Sequence, residues 1–230
     1  QDMREEQQAI IQYLSHAYAL GEGEIPGDIE QVAREEMRHL DWLAEEIVEL
    51  AGDPDMDRQE PDLSLAPHPE QMLKDARLEQ KAIDLYRSQM EVIDDPHIRR
   101  LLARIIHDEL AHQDKFYGYA EELAEEGVEG AEGEALAEDL PDEPKAGKRL
   151  EDIINYGVRH EYTVILQYLY HSFVADDCEL SEELEDTAIN EMQHMGWLAE
   201  ELQEKGVQPD FSHEEPFLSR DPVANLKANM

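Results

Sequence analysis

Apolar residues recur at intervals of three and four along most of the chain, and no stretch alternates convincingly with the period of two that a half-buried strand requires. The pattern predicts six long helices, over about 3–20, 28–52, 69–93, 96–127, 148–175 and 181–206. Glycine and proline in 21–27 break the first helix from the second. Asp28 reads as the N-cap of the second helix, and Ser181 as that of the sixth. Asp95 followed by Pro96 reads as a cap plus first-turn proline for the fourth. Residues 53–67 form a proline-rich connection, 128–147 an acidic linker rich in Gly, Ala and Pro, and 207–230 an irregular tail.

Loop length carries topology. The first and second predicted helices are joined by a short segment, as are the third and fourth, so each pair is an antiparallel hairpin. The connection between the pairs, about 15 residues long, reaches ~50 Å when extended. A 24-residue helix is only ~36 Å long, so the connection can run the full length of a bundle. The fold class predicted for 1–127 is therefore all-α, a complete four-helix bundle with one long crossover. Residues 148–206 form an additional helical hairpin, half of such a bundle.

Three helix pairs share one internal ruler. Glu6, Glu79 and Glu161 each lie 30 residues before a second glutamate, Glu36, Glu109 and Glu191. A histidine follows each of these three residues later: His39, His112 and His194. A tyrosine lies seven residues after each first glutamate: Tyr13, Tyr86 and Tyr168. The first and third pairs also match at a constant offset of 155. Gln12-Tyr13-Leu14 corresponds to Gln167-Tyr168-Leu169, and His16 to His171. Trp42-Leu43-Ala44-Glu45-Glu46 corresponds to Trp197-Leu198-Ala199-Glu200-Glu201. The register survives into the connection, where Pro54-Asp55 matches Pro209-Asp210 and Glu60-Pro61 matches Glu215-Pro216. The chain reads as one complete two-hairpin unit followed by the first hairpin of a second and a crossover-like tail.

Composition narrows the chemistry. With 19 basic and 57 acidic residues the net charge is −38, which repels nucleic acid and anionic lipid and attracts cations. Abundant Asp and Glu with few Lys resembles the composition of proteins from high-salt cytoplasm; a solvated acidic face is the plain reading. No apolar run is long enough for a transmembrane helix and no signal peptide is visible, which points to a cytoplasmic protein or one held inside an assembly or compartment. The opening Gln1-Asp2-Met3 points to N-terminal processing or trimming. One cysteine, Cys178, excludes a disulfide framework and a Cys₄ metal site built from these residues. It has no partner or basic activator in sequence and is assigned no role.

Residues i and i+3 share a helix face, so Glu-x-x-His aims a carboxylate and an imidazole the same way. Two such helices and two more that each offer one Glu give four carboxylates and two imidazoles. That set suits a pair of divalent metals with bridging and terminal carboxylates and one His per metal. Carboxylates buried at this density repel one another strongly without cations between them. The tyrosine two turns along can donate to a ligand carboxylate of the opposite hairpin.

The sequence resembles the ferritin-like superfamily, in particular its rubrerythrin and bacterioferritin branch. The resemblance rests on Arg4-Glu5-Glu6, Glu36-Met37-Arg38-His39, Ala76-Arg77-Leu78-Glu79 with Tyr86, and His107-Asp108-Glu109-Leu110-Ala111-His112. It implies a non-haem di-iron centre that activates O₂ or H₂O₂, with ferroxidase or peroxidase-type chemistry. Two Fe ions would be held by Glu6, Glu36, His39, Glu79, Glu109 and His112, with Glu36 and Glu109 bridging. Glu161, Glu191 and His194 would supply half of a second set. Met37 lies where bacterioferritins place a haem-ligating methionine, and Met192 repeats it; packing is the alternative for both. His16 and His171 read as polar packing or entry-channel residues. The 30-residue spacing also resembles the hairpins of encapsulated ferritins, which pair two chains to build a site. Two other readings remain open: a dimanganese catalase-like enzyme, because O/N donors do not choose sharply between Fe and Mn, and a structural protein whose hairpins are stapled by metal.

The third hairpin cannot cover its apolar face, with Ile165, Leu169, Ile189 and Leu198, by itself. Pairing with a second chain about a twofold axis would complete it, so a homodimer or larger homo-oligomer through 148–206 is expected. A fourth hairpin with its Glu near 79 + 155 = 234 is the alternative.

Overall fold

The computed structural model describes residues 1–64, 66–127 and 150–229, and among these there are seven helices and no strand. The helices are α1 (Asp2–Leu20), α2 (Glu24–Glu49), α3 (His68–Val92), α4 (Pro96–Glu126), α5 (Leu150–Phe173), α6 (Cys178–Glu204) and α7 (Pro222–Ala228). The all-α class expected from the periodicity is the observed one. The expected linker over 128–147 lies outside the described residues.

Two compact units divide the chain. The first comprises Gln1–Leu50 and Asp57–Glu132, the second Ala51–Met56 and Gly133–Met230.

In the first unit α1 packs on α2, α3 on α4, α1 on α3 and α2 on α4. The crossover rises along α1. Arg4 O accepts from Gln59 N at 3.0 Å, Glu60 O from Gln8 Nε2 at 3.0 Å, and Gln12 Oε1 from Asp62 N at 2.8 Å. Delivered to the far end of α1, the chain enters α3 and runs back down. Asp75 lies beside His16, Glu79 beside Tyr13, Tyr86 beside Glu6 and Gln89 beside Asp2. That antiparallel α1–α3 pairing gives the two hairpins a pseudo-twofold relation, and Met3, Ile10, Ile29, Leu40, Met72, Ile83, Leu102 and Phe116 fill the core around it.

Capping sets both ends of α4. The Asp95 side chain accepts from His97 N and Ile98 N, Pro96 occupies the first turn, and Gly127 ends α4 in the left-handed conformation at φ 68°. Two starts differ from expectation. Helix α2 begins at Glu24, not after Asp28, because Pro26 needs no amide partner in a first turn. Asp28 instead accepts from Tyr119 Oη at 2.9 Å. Helix α6 begins at Cys178, capped by Asp177, which accepts from Leu180 N at 2.9 Å. Ser181 already lies inside that helix, its hydroxyl donating to Ser172 O.

In the second unit α5 and α6 form a tight hairpin. A Cβ at Gly157 would meet Leu198 Cδ1 at 2.8 Å, so a larger residue there would have to displace the Leu198 side chain. The segment after α6 follows α5 as the crossover follows α1. Gln167 Oε1 accepts from Phe217 N at 2.9 Å, the bond that Gln12 makes with Asp62 N, displaced by 155 residues. Phe211 is buried. The tail is not wholly irregular, since Asp221 caps α7 by accepting from Val223 N, with Pro222 in its first turn.

Candidate metal centre

Glu6 on α1, Glu36 and His39 on α2, Glu79 on α3, and Glu109 and His112 on α4 converge in the middle of the first unit. None is more than 3% exposed. Their donor atoms form two overlapping sets, Glu6, Glu36, His39 and Glu109 on one side and Glu36, Glu79, Glu109 and His112 on the other. Within each set the donor atoms lie within 4.8 Å of one another. Glu36 and Glu109 belong to both.

The two halves are closely matched. His39 Nδ1 lies 2.9 Å from Glu36 Oε2, 3.2 Å from Glu109 Oε1 and 3.7 Å from Glu6 Oε2. His112 Nδ1 lies 2.8 Å from Glu36 Oε1, 3.2 Å from Glu109 Oε2 and 3.7 Å from Glu79 Oε1. The two rings stack with centroids 5.9 Å apart. Each Nδ1 thus faces three carboxylates but carries at most one proton. Glu36 Oε1 and Glu109 Oε1 are buried with no well-formed hydrogen bond, although His112 Nδ1 and His39 Nδ1 stand 2.8 Å and 3.2 Å away. Two such oxygens, one on each shared carboxylate, are what a pair of bridging cations satisfies, so the residues present fit a dimetal group.

The remaining groups hold the donors in place. Tyr13 Oη donates to Glu79 Oε1 at 2.8 Å, and Tyr86 Oη donates to Glu6 Oε1. Each tyrosine reaches across to the opposite hairpin. The distal nitrogen of His112 is hydrogen-bonded, Nε2 lying 2.7 Å from Glu35 Oε2, and His39 Nε2 faces Asp108 Oδ2 at 3.5 Å. An acidic partner on Nε2 favours a proton there and leaves Nδ1 free for a metal. Sequence reasoning missed Glu35 and Asp108. The available signal was an acidic residue immediately before each motif glutamate, concealed in a chain with 57 acids.

Electrostatics report the same crowding. Burial raises the Glu6 and Glu79 carboxyls well above their ordinary values, only partly opposed for Glu6 by its hydrogen bond to His39. Burial pushes Glu36 up too, but the charges of His112 and His39 outweigh it and hold this carboxyl well below the usual range. Burial depresses both imidazoles, yet the Glu36 charge wins, raising His39 far above its ordinary value and His112 to about 10. Without metal the imidazoles therefore serve as internal counter-cations. A cavity of about 130 Å³ reaches Glu6, Glu36, Glu79 and Glu109 between α1 and α3, with Glu5, Gln8 and Lys81 also lining it.

Above the site lies a further polar layer. Buried Asp75 accepts from Gln12 Nε2 at 2.8 Å and pairs with His16 Nδ1 at 2.7 Å. Its pseudo-twofold counterpart is Asp2 with Gln89, at 2.6 Å. His16 is thus a packing residue anchored by an aspartate that no motif revealed.

Glu161, Glu191 and His194 gather on the α5–α6 hairpin, their donor atoms also within 4.8 Å of one another. His194 Nδ1 lies 2.7 Å from Glu191 Oε2, but its side chain is 48% exposed. Burial and the Glu191 charge raise the Glu161 carboxyl. His171, the counterpart of His16, donates from Nε2 to Phe217 O. Met37 and Met192 both lie among buried core side chains. Cys178 is exposed at the start of α6.

A profile of the ferritin-like domain matches residues 1–125, more than half of the chain, and the chain belongs to that family. A bacterioferritin of Desulfovibrio desulfuricans is 33% identical over 110 residues, which are 45% of this chain and 62% of that protein. The chain thus spans less than two thirds of the length of this relative. No solved structure matches. No helix among the described residues is long and apolar enough to cross a membrane.

Proposed function

We propose that the first unit is a di-iron centre that oxidises Fe(II) at the expense of O₂ or H₂O₂. The observation that carries this reading is the pair of overlapping donor sets sharing Glu36 and Glu109. Glu6, His39, Glu79 and His112 would be terminal ligands, and Glu36 and Glu109 bridges. When bound, the ion pair supplies two one-electron steps, one from each Fe(II), to the oxidant.

The chain supplies the rest. Asp108 and Glu35 orient the imidazoles, and Tyr13 and Tyr86 hold the terminal carboxylates in one rotamer. Protons on His39 Nδ1 and His112 Nδ1 leave as the ring nitrogens become ligands. The cavity between α1 and α3 admits a small oxidant, while the buried setting keeps larger reductants away from the site. The burial of Met37 and Met192 supports packing rather than haem ligation.

Anaerobic loading with Fe(II), then exposure to O₂ and separately to H₂O₂, tests the reading. Oxidation faster than in buffer is expected, with about two ions bound per bundle. Tight Mn binding with H₂O₂ disproportionation would move the site to the dimanganese reading. Metal uptake without turnover would leave a structural staple.

A further inference from the structure

Seven and ten residues after its motif glutamate, α4 carries Phe116 and Tyr119. The same two positions hold Leu43 and Glu46 on α2, and Leu198 and Glu201 on α6. At α4 the repeat is broken, and the break sets aromatic rings in a row. Tyr13, whose hydroxyl donates to Glu79, has its ring centroid 4.7 Å from that of Phe116. Phe116 is wholly buried and stands edge-on to Tyr119, 6.4 Å away. Tyr119 is half-buried, and its Oη donates to the exposed carboxylate of Asp28 at 2.9 Å. The row runs from a carboxylate of the metal centre to the surface.

We propose that this row is an electron path, and that Tyr119 is the surface residue at which organic one-electron donors too large for the cavity reduce H₂O₂ in the centre. The proposal rests on the reading of the first unit as a metal centre. In each cycle the Tyr119 phenol sends one electron inward through Phe116 and Tyr13, and its proton passes to the Asp28 carboxylate. The donor then returns an electron to the phenoxyl radical, and Asp28 returns the proton. Two cycles, with two protons from solvent, break the O–O bond of one H₂O₂, form two waters and leave two donor radical cations.

The outer end of the row is built for this step. An oxidised phenol is a strong acid, so its radical forms readily where a base stands at hydrogen-bond distance, as Asp28 does. Burial, the hydrogen bond to Asp28 and the Asp28 charge hold the Tyr119 phenol above its ordinary pKa, so the proton stays on oxygen until the electron leaves. Trp42 offers a poorer exit. It lies 5.7 Å from the His39 ring, but the Arg104 guanidinium, 5.0 Å from the indole, opposes a positive hole there. Asp28, Glu122 and Glu24 place negative charge around Tyr119, so neutral or cationic donors such as aromatic amines suit it and anionic donors do not.

The iron-loaded full chain tests this with H₂O₂ and tetramethyl-p-phenylenediamine, whose one-electron product is coloured. Tyr119→Phe, and Phe116→Leu with the residue of the other two hairpins, should each slow colour formation at least about tenfold. Both should keep the rate of Fe(II) oxidation measured without the amine. Asp28→Asn should slow colour formation about tenfold as well. Tyr117→Phe removes a tyrosine that is 44% exposed on the same helix but outside the row, and should change neither rate. A second readout follows the radical itself. With the amine omitted and a nitroso spin trap present, peptide mass spectrometry should place the adduct on Tyr119, and Phe116→Leu should remove it. Colour formation at the unmodified rate in Tyr119→Phe, or an adduct on Tyr117 or Trp42 instead, would overturn the electron path alone. A loaded chain that leaves H₂O₂ unconsumed with Fe(II) and with the amine alike would overturn the bundle reading with it.

Discussion

The α1–α2 and α5–α6 hairpins are one design in two settings. They hold the same Glu, Glu and His at the same spacing, and the same glutamine clasps the following segment. In the bundle the opposite hairpin turns three potential ligands into six around a shared centre, where the Glu36 charge raises both imidazoles. On the lone hairpin the same residues stay partly solvated, and His194 has only local partners, Glu191 at 2.7 Å and the Trp197 ring at 5.5 Å among them. Ligand identity is therefore a property of the helix, while a metal centre is a property of the pair of hairpins. One further difference is built into the sequence. Four residues before the ligand glutamate, α1 carries Asp2 and α3 Asp75, but α5 carries Gly157. Close packing against Leu198 takes the place of the aspartate there.

Fe(II) oxidation should separate the two units most strongly. Glu36→Ala and Glu109→Ala should each slow it by at least about a hundredfold, because a bridging carboxylate touches both metals. Glu191→Ala should leave most of the rate. Stopped-flow absorbance after mixing with O₂ reads the difference, and equal losses in all three variants would erase the distinction between the units.

Metal removal should act next. A group that binds only the folded state at about a thousand times its Kd adds about 4 kcal/mol, which corresponds to a drop of several degrees in Tm on chelation. Glu36→Ala should abolish most of that drop in calorimetry, whereas His194→Ala should abolish little of it.

The matched histidines sharpen the contrast on a smaller scale. His16→Ala strands the buried Asp75 carboxyl and should cost about 3 kcal/mol. His171→Ala loses one bond to a carbonyl and should cost about 1 kcal/mol. Urea denaturation of the two variants, compared by midpoint at equal slope, gives both values. Equal costs would show that the aspartate layer adds nothing to the bundle.

Salt should have the smallest effect. At −38 the folded chain repels itself over a screening length of ~10 Å at 0.1 M salt. Raising NaCl toward 1 M should lift the Tm of the metal-free chain by a few degrees. An unchanged Tm would remove charge repulsion as a factor in stability.

The ruler of thirty plus three residues was legible because helical spacing is rigid: once Glu36 and His39 share a face, so must Glu109 and His112. The reach of Tyr13 and Tyr86 was legible for the same reason. The groups that orient the imidazoles were not, since Glu35 and Asp108 look like any other surface acid until the opposite helix is in place. The third hairpin has Asn190 at the corresponding position. The Asp75–His16 pair spans 59 residues and has no motif at either end. The start of α6 is ambiguous in sequence because two caps compete. Asp177 lies four residues before Ser181, and the earlier one wins because it adds a turn of backbone bonds.

The clasp formed by Gln12 and Gln167 has an evolutionary consequence. In both units the glutamine oxygen receives a main-chain amide, from Asp62 in one and Phe217 in the other. A main-chain donor is indifferent to the side chain attached to it, so an acid and an aromatic ring serve equally well. After a duplication, the strap could drift through every residue except proline without losing its alignment to the helix, while the glutamine could not drift at all. The two straps diverged in chemistry yet kept their register, and substitutions there offer a place to append new surface function at little cost to the scaffold.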